Sequence, residues 1–393
     1  MIRVGMFVDT YFPMVDGVIH VVHNYAKRMN DGEFEVVVFC PVADKKYRDE
    51  FSYEVKRCKS VKLFFLDYSL PLPKLDRQFK KALKGARLDL VHIHSPFGVA
   101  QMGIRYAKKH RIPAVATLHS QFKQDFYQAT KSKLITKLML NHVMKVFNSC
   151  DEYYTVNSRV AEIFYEYGCK HMPLIQRNCS DCTPVEDAEE AKRLVNETFS
   201  LSPDETVFLF VGRINALKNI YFLTEALSKL KDKNFKMIFV GDGNDMPALK
   251  NKIQKFGLTD NVILAGRITD RELLKAMYAR AQLFLFPSMY DTNSLVQLEA
   301  ATQHLPTVFL KDSATSATVT DNVSGFISEP TPEAYAQKIE QVLADRELYE
   351  SVREGAFRDL YITWDETVAE MKRKYKIVIE QKKEALAKTK HKK

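Results

Sequence analysis

The sequence predicts an α/β protein made of two open parallel sheets in succession. Three observations carry that prediction. Short apolar runs alternate with helix-length amphipathic stretches along the 393 residues, as strands covered on both faces by helices require. The alternation is interrupted once, around the polar and acidic residues 182–190, and then restarts. In the second half the apolar runs end in turn sequences, Gly212-Arg213, Gly241-Asp242-Gly243, Gly266-Arg267 and Pro287-Ser288, which would line one crevice beyond the carboxyl ends of the strands.

The first strand is predicted over residues 2–8, followed by a turn containing Pro13, Asp16 and Gly17. Val18, Val21, Val22, Tyr25, Ala26 and Met29 then recur at helical spacing. Further strands are predicted at 36–40, 90–94, 114–119, 153–156 and 174–176. The second series is TVFLFVGR, KMIFVGDG, NVILAGR, LFLFPS and PTVFL. The expected domains are 1–182 and 183–360, with residues 361–393 as a C-terminal helix and basic tail packing back toward the first domain. A chain of this length suits about two domains, each with its own core.

No apolar run approaches the roughly 20 residues of a membrane-spanning helix, and the start MIRVGMFVDTYFP lacks the basic segment and cleavage site of a signal peptide. A cytoplasmic location, peripheral on the inner face of a membrane, is expected. The six cysteines are sparse and form no disulfide framework. Cys179 and Cys182 make a lone CxxC with no second pair to complete a metal site. Of the net charge of +9, residues 370–393 hold +7, from ten Lys or Arg against three Glu. Such a tail is either a solvated end or a contact with an anionic membrane, worth about 1 kcal/mol per basic residue. The basic residues lack interleaved aromatics, so no nucleic-acid partner is expected.

Arg213 closes a predicted strand and Lys218 follows near the start of the next helix. That spacing can aim two cations and a helix N-terminus at a diphosphate, or leave two solvated surface cations. PSMYDTNSLVQLEA places Asp291 in a loop and Glu299 within an otherwise apolar helix, where an unpaired carboxylate would be costly.

Together these motifs resemble the family 4 retaining glycosyltransferases, and the resemblance extends over nearly the whole chain. Asp291-x7-Glu299 is similar to the family's Glu-x7-Glu, and VGRINALKN to its diphosphate-binding segment. Asp16-Gly17 stands in place of an N-terminal Gly-Gly loop, and His119 matches a histidine beside the reacting sugar. The resemblance implies a GT-B fold, two Rossmann-like domains facing each other across a cleft, with a UDP-sugar as substrate and neither cofactor nor metal. It implies that Arg213 and Lys218 neutralise the leaving diphosphate, that Glu299 binds ribose and Asp291 the transferred sugar, and that the backbone near Arg267 holds the base. Asp16, Gly17, Gly241, Thr292, Asn293, Ser294 and Leu295 would complete the donor site. His119 would contact the donor sugar, with Asp9 and Tyr11 facing the acceptor. Asp291 is one methylene shorter than the family's Glu, so sugar choice is expected to depend on it.

The start GMFVDTYFPMVDGV, LPLPK at 70–74 and IHSPFG at 93–98 look most like diacylglycerol glucosyltransferases, which implies a membrane glycerolipid acceptor. The basic stretch Lys74, Arg77, Lys80, Lys81, Lys84 and Arg87 and the cationic helix predicted over 131–147 suit an anionic membrane partner. A soluble or polysaccharide acceptor, and a sugar-nucleotide-binding protein without catalysis, are the alternatives.

Overall fold

The computed structural model describes residues 1–14, 16–42, 44, 46–62, 69–292 and 294–390. Two compact units divide the chain: Met1–Asn178 with Trp364–Lys393, and Cys179–Thr363. The first break therefore falls four residues before the expected 182. The second falls three after the expected 360, where Trp364 opens the last helix.

The first unit is built on seven parallel strands. From edge to edge they are Glu54–Cys58, Phe34–Pro41, Ile2–Phe7, Leu90–Ile93, Ala114–Thr117, Glu152–Thr155 and Leu174–Ile175. The chain builds outward from its first strand to one edge, returns, and builds outward on the other side, which is the Rossmann order. Central strands read as apolar runs because helices cover both faces; Phe7 and Phe39 stack with ring centroids 4.6 Å apart between neighbouring strands. The edge strand Glu54–Cys58, EVKRC, has no apolar run, since its edge position buries only Cys58 fully.

The C-terminal helix Trp364–Lys390 belongs to this unit. Trp364 meets Tyr25 edge-on at 5.8 Å, and the Tyr375 hydroxyl lies 2.6 Å from His92 Nδ1. Lys372 pairs with Asp31, Lys376 with Glu33, and Lys382 with Asp151 at 2.7 Å. The hydrogen bond from Lys372 holds the Asp31 carboxyl below the usual carboxylate range. Much of the positive charge concentrated at this end of the sequence thus clamps the helix to its own unit.

The second unit repeats the order with six parallel strands: Val262–Gly266, Phe235–Val240, Thr206–Val211, Leu283–Phe286, Thr307–Leu310 and Phe326–Ser328. Its core is contiguous and rich in Phe, Leu, Ile and Val from the sheet and its covering helices. Among the described residues no helix is long and apolar enough to cross a membrane.

Candidate active site

Open parallel sheets bind ligands beyond the strand ends where the strand order reverses. In the second unit that point lies between Thr206–Val211 and Leu283–Phe286, which pair directly. The loop leaving the first of these carries Arg213 and Lys218, and the loop leaving the second carries Asp291. Asn215 accepts the Lys218 N–H at 3.2 Å and so forms the single 3-10 turn Ala216–Lys218. Asn219 follows with a left-handed φ of 59°, and its side-chain amide donates to the Pro287 carbonyl at 3.2 Å, tying the two loops together. Lys218 Nζ then reaches Asp291 Oδ1 at 2.5 Å, with both side chains about one-fifth exposed.

The other Asp291 oxygen, Oδ2, is buried without a hydrogen-bond partner. A buried acceptor left unpaired costs about 1–3 kcal/mol, which a ligand hydroxyl would relieve. The following helix, Leu295–Thr302, starts at Ser294 with no side-chain cap among the described residues, and such an N-terminus can present N–H groups to an oxyanion. Thr292 is half-buried beside Asp291, and Asn293 lies outside the described residues. Arg213 and Arg267 are exposed on the loops at the ends of their strands.

Gly241 has a structural reason of its own. Its φ is 136°, and a Cβ there would lie 1.9 Å from the Gly212 carbonyl oxygen; one on Gly243 would lie 2.2 Å from that of Ile214. Only glycines allow these strand-end loops to come so close. The Ile214 N–H bonds the Asp242 carbonyl at 3.0 Å, and Asp245 accepts from Ala216 N–H at 2.6 Å, so the loop bearing Lys218 is fixed from this side as well.

Glu299 faces a cavity of about 260 Å³ lined also by Asp181, Cys182, Arg271, Lys275 and Tyr278. The buried Tyr278 hydroxyl donates to Glu299 Oε2 at 2.9 Å, and Arg271 Nη1 lies 3.6 Å from Oε1. Burial and the adjacent Glu299 charge hold the Tyr278 hydroxyl well above its ordinary range, so it stays a proton donor. Tyr278, Arg271 and Lys275 were not among the expected site residues. Their signal was present: positions 271, 275 and 278 share one face of the helix Arg271–Arg280.

In the first unit the order reverses between Ile2–Phe7 and Leu90–Ile93. Two residues expected to face the acceptor, Asp9 and Tyr11, are held there by internal contacts. Asp9 is 5 % exposed, and its carboxylate accepts from Ser95 Oγ at 2.6 Å, Phe97 N–H at 3.1 Å and Val99 N–H at 2.7 Å. It anchors the start of the helix Gly98–His110 to the end of the first strand. Burial pushes its carboxyl upward against the pull of these hydrogen bonds. Tyr11 is fully buried, its hydroxyl 2.7 Å from that of Tyr53. Asp16 is the N-cap of the helix Gly17–Met29, accepting from Ile19 N–H at 2.8 Å. Gly17, exposed at that N-terminus, has open space where a side chain would be.

His119 follows the strand Ala114–Thr117 and stands in a column of three histidines. Its Nε2 is 3.1 Å from His94 Nδ1, and the His94 ring lies 4.0 Å from that of His92. Burial holds His119 down to about 4 and His92 to about 3, and burial with its histidine neighbours holds His94 well below its ordinary value. All three are neutral at neutral pH, so His119 can hydrogen-bond a hydroxyl but presents no charge.

A pair of Rossmann-type units with cations and carboxylates at the second reversal point suits a glycosyltransferase. The family model "Glycosyltransferase Family 4" matches residues 15–176, and "Glycosyl transferases group 1" matches residues 194–359. The chain belongs to the family 4 glycosyltransferases with the GT-B fold.

It is 27% identical to an alpha-monoglucosyldiacylglycerol synthase of Acholeplasma laidlawii over 82% of this chain and 84% of that one. It is 26% identical to the enzyme of the same name from Streptococcus pneumoniae, over 78% and 70%. Among solved structures, sucrose-phosphate synthase from Thermosynechococcus elongatus superposes with a TM-score of 0.76 at 19% identity, covering 97% of this chain and all of that one. Anabaena HepE in complex with UDP-glucose superposes at 0.70 with 17% identity, covering 99% and 100%.

Proposed function

We propose that this glycosyltransferase moves glucose from UDP-glucose to a membrane glycerolipid, diacylglycerol or its monoglucosyl derivative, with retention at the anomeric carbon. The observation that carries the donor half is the meeting of Lys218, Asp291 and an uncapped helix N-terminus at the strand-order reversal. The lipid half is supported by the similarity to two alpha-monoglucosyldiacylglycerol synthases. Glucose is α-linked to UDP in the donor, so an α-glucoside product corresponds to retention.

In this reading Arg213 and Lys218 stabilise charge developing on the diphosphate as the bond from C1 to phosphate oxygen breaks. Such preorganised cations are worth most where charge appears in the transition state. The acceptor hydroxyl oxygen bonds C1 from the same face, and its proton passes to the departing phosphate, so neither a protein nucleophile nor a metal is assigned a role. Glu299, oriented by Tyr278, binds the ribose hydroxyls. Asp291 uses its unpaired Oδ2 to accept from a sugar hydroxyl, and neutral His119 offers a hydrogen bond to a hydroxyl.

The protein would work as a peripheral enzyme on the cytoplasmic face of an anionic membrane. The helix Lys133–Phe147 supports this: Leu134 and Leu138 are 69% and 60% exposed, each directly after a lysine, Lys133 and Lys137. Incubation with UDP-glucose and diacylglycerol in detergent micelles, read by UDP release and by NMR of the product's anomeric proton, tests the proposal. An α-glucolipid is expected; UDP release only with a water-soluble acceptor would contradict the lipid assignment.

A further inference from the structure

In the histidine column of the first unit, His94 is held at a cost that packing does not explain. It directly follows the strand Leu90–Ile93, where the strand order of this unit reverses, and its backbone N–H donates to the Phe7 carbonyl at 2.9 Å. That main-chain bond asks nothing of the side chain. The neighbouring His92 has both ring nitrogens satisfied: Nδ1 meets the Tyr375 hydroxyl at 2.6 Å and Nε2 the Thr117 hydroxyl at 2.7 Å. His94 is 3% exposed, yet its Nε2 is buried with no hydrogen-bond partner among the described residues. An unpaired buried polar atom costs about 1–3 kcal/mol, which a leucine in the same place would avoid.

What the His94 ring does bond is His119. His94 Nδ1 lies 3.1 Å from His119 Nε2, and the two rings stack with centroids 5.4 Å apart. The sheet register brings them together. Ile93 pairs with Ala116 of the next strand, so the residues that follow emerge side by side at the carboxyl ends of both strands, where ligands bind in such sheets. His119 is half-buried and reaches solvent there, whereas His94 does not.

A hydrogen bond between two neutral imidazoles needs one N–H and one lone pair, so the tautomers of the two rings are coupled. Were His94 to accept at Nδ1, its proton would sit on the unpartnered Nε2, and a buried N–H without an acceptor is the rarer defect. The bond therefore runs from His94 Nδ1–H to the lone pair of His119 Nε2, which leaves the His119 proton on Nδ1. Burial keeps both rings neutral, as this arrangement requires.

We propose that His94 is a positioning residue for glycosyl transfer, fixing the ring orientation and the Nδ1–H tautomer with which His119 meets a substrate hydroxyl. The proposal rests on the reading above in which His119 bonds a hydroxyl, and the two can fail separately. His94→Leu fills the site but removes the N–H. His94→Asn keeps an amide N–H near the place of Nδ1–H and loses the ring that packs on His92 at 4.0 Å. Urea unfolding should therefore rank the Leu variant above the Asn variant in stability. UDP release with UDP-glucose and diacylglycerol in micelles should rank them the other way, about tenfold lower turnover in the Leu variant and most of it restored in the Asn variant.

Ring nitrogen NMR shifts of His119, assigned by their loss in His119→Gln, report the tautomer directly. Protonation on Nδ1 is expected in the parent and the Asn variant, with a shift toward Nε2–H, the form an unconstrained imidazole favours, in the Leu variant. Turnover that follows stability in both variants, or a parent His119 protonated on Nε2, would overturn the positioning role. Absence of transfer by the parent would instead count against the proposed function, and the ring shifts, read without substrate, would still decide the tautomer.

Discussion

Lys218 and Asp291 come from loops 73 residues apart and meet at 2.5 Å, so each conditions the other. Lys218→Ala removes a cation from the leaving diphosphate and leaves Asp291 with no partner for either oxygen. Turnover should fall by about 10²–10³, the scale for losing one preorganised donor, with the circular dichroism spectrum unchanged. A kcat within threefold of the parent would contradict that role. Glu299→Ala should act mainly through donor KM, and Tyr278→Phe should give a smaller shift in the same direction. Asp9→Ala is expected to behave differently. It leaves one hydroxyl and two N–H groups without their acceptor, costing about 2–4 kcal/mol of stability, and should lower the melting temperature without selectively raising acceptor KM. The position of Asp9 at a strand end was legible in the sequence. Its occupation was not, because the donors lie 86–90 residues away, in a loop whose path depends on the packed sheet.

At the level of elements, the central strands and covering helices were legible because burial on both faces writes itself as apolar runs and helical spacing. Glu54–Cys58 and Phe326–Ser328 were not, one being an edge strand with three charged residues in five and the other only three residues long. Gly241 carries the element-scale prediction. Gly241→Ala places a Cβ against the Gly212 carbonyl at a φ that L-residues avoid, and should cost more than about 3 kcal/mol in denaturant unfolding. Because it pushes on the loop bearing Arg213 and Lys218, turnover should fall too. A variant as stable and active as the parent would refute the close-approach explanation. The basic C-terminal segment was legible as charge, but its pairing with Asp31, Glu33 and Asp151 depends on how the last helix docks onto the first unit.

The whole molecule should carry the signature of its histidine cluster. With the high-pKa Tyr375 hydroxyl donating to His92 Nδ1, His92 Nε2–H is left to donate to Thr117 Oγ1 at 2.7 Å, and protonation would break this chain. Folded values for His92, His94 and His119 all lie below the unfolded value of about 6.5. Above that pH neither state is protonated and the cluster adds no pH dependence. Below it only the unfolded chain takes up protons, and stability should fall by up to about 1.4 kcal/mol per pH unit per histidine. The fall continues until pH reaches the folded values, about 4 for His119 and about 3 for His92. Urea unfolding at pH 7 and pH 5 measures this, and equal midpoints would contradict the neutral cluster.

The central claim, that cations at the strand-order reversal of the second unit drive glucosyl transfer to a glycerolipid, is tested most directly by one assay. The parent chain and Lys218→Ala are each incubated with UDP-glucose and diacylglycerol in detergent micelles, and UDP and glucolipid are quantified together. The account predicts equimolar UDP and α-glucosyldiacylglycerol from the parent, with both reduced at least a hundredfold in the variant. No glucolipid from the parent, or equal rates from the two proteins, would contradict it.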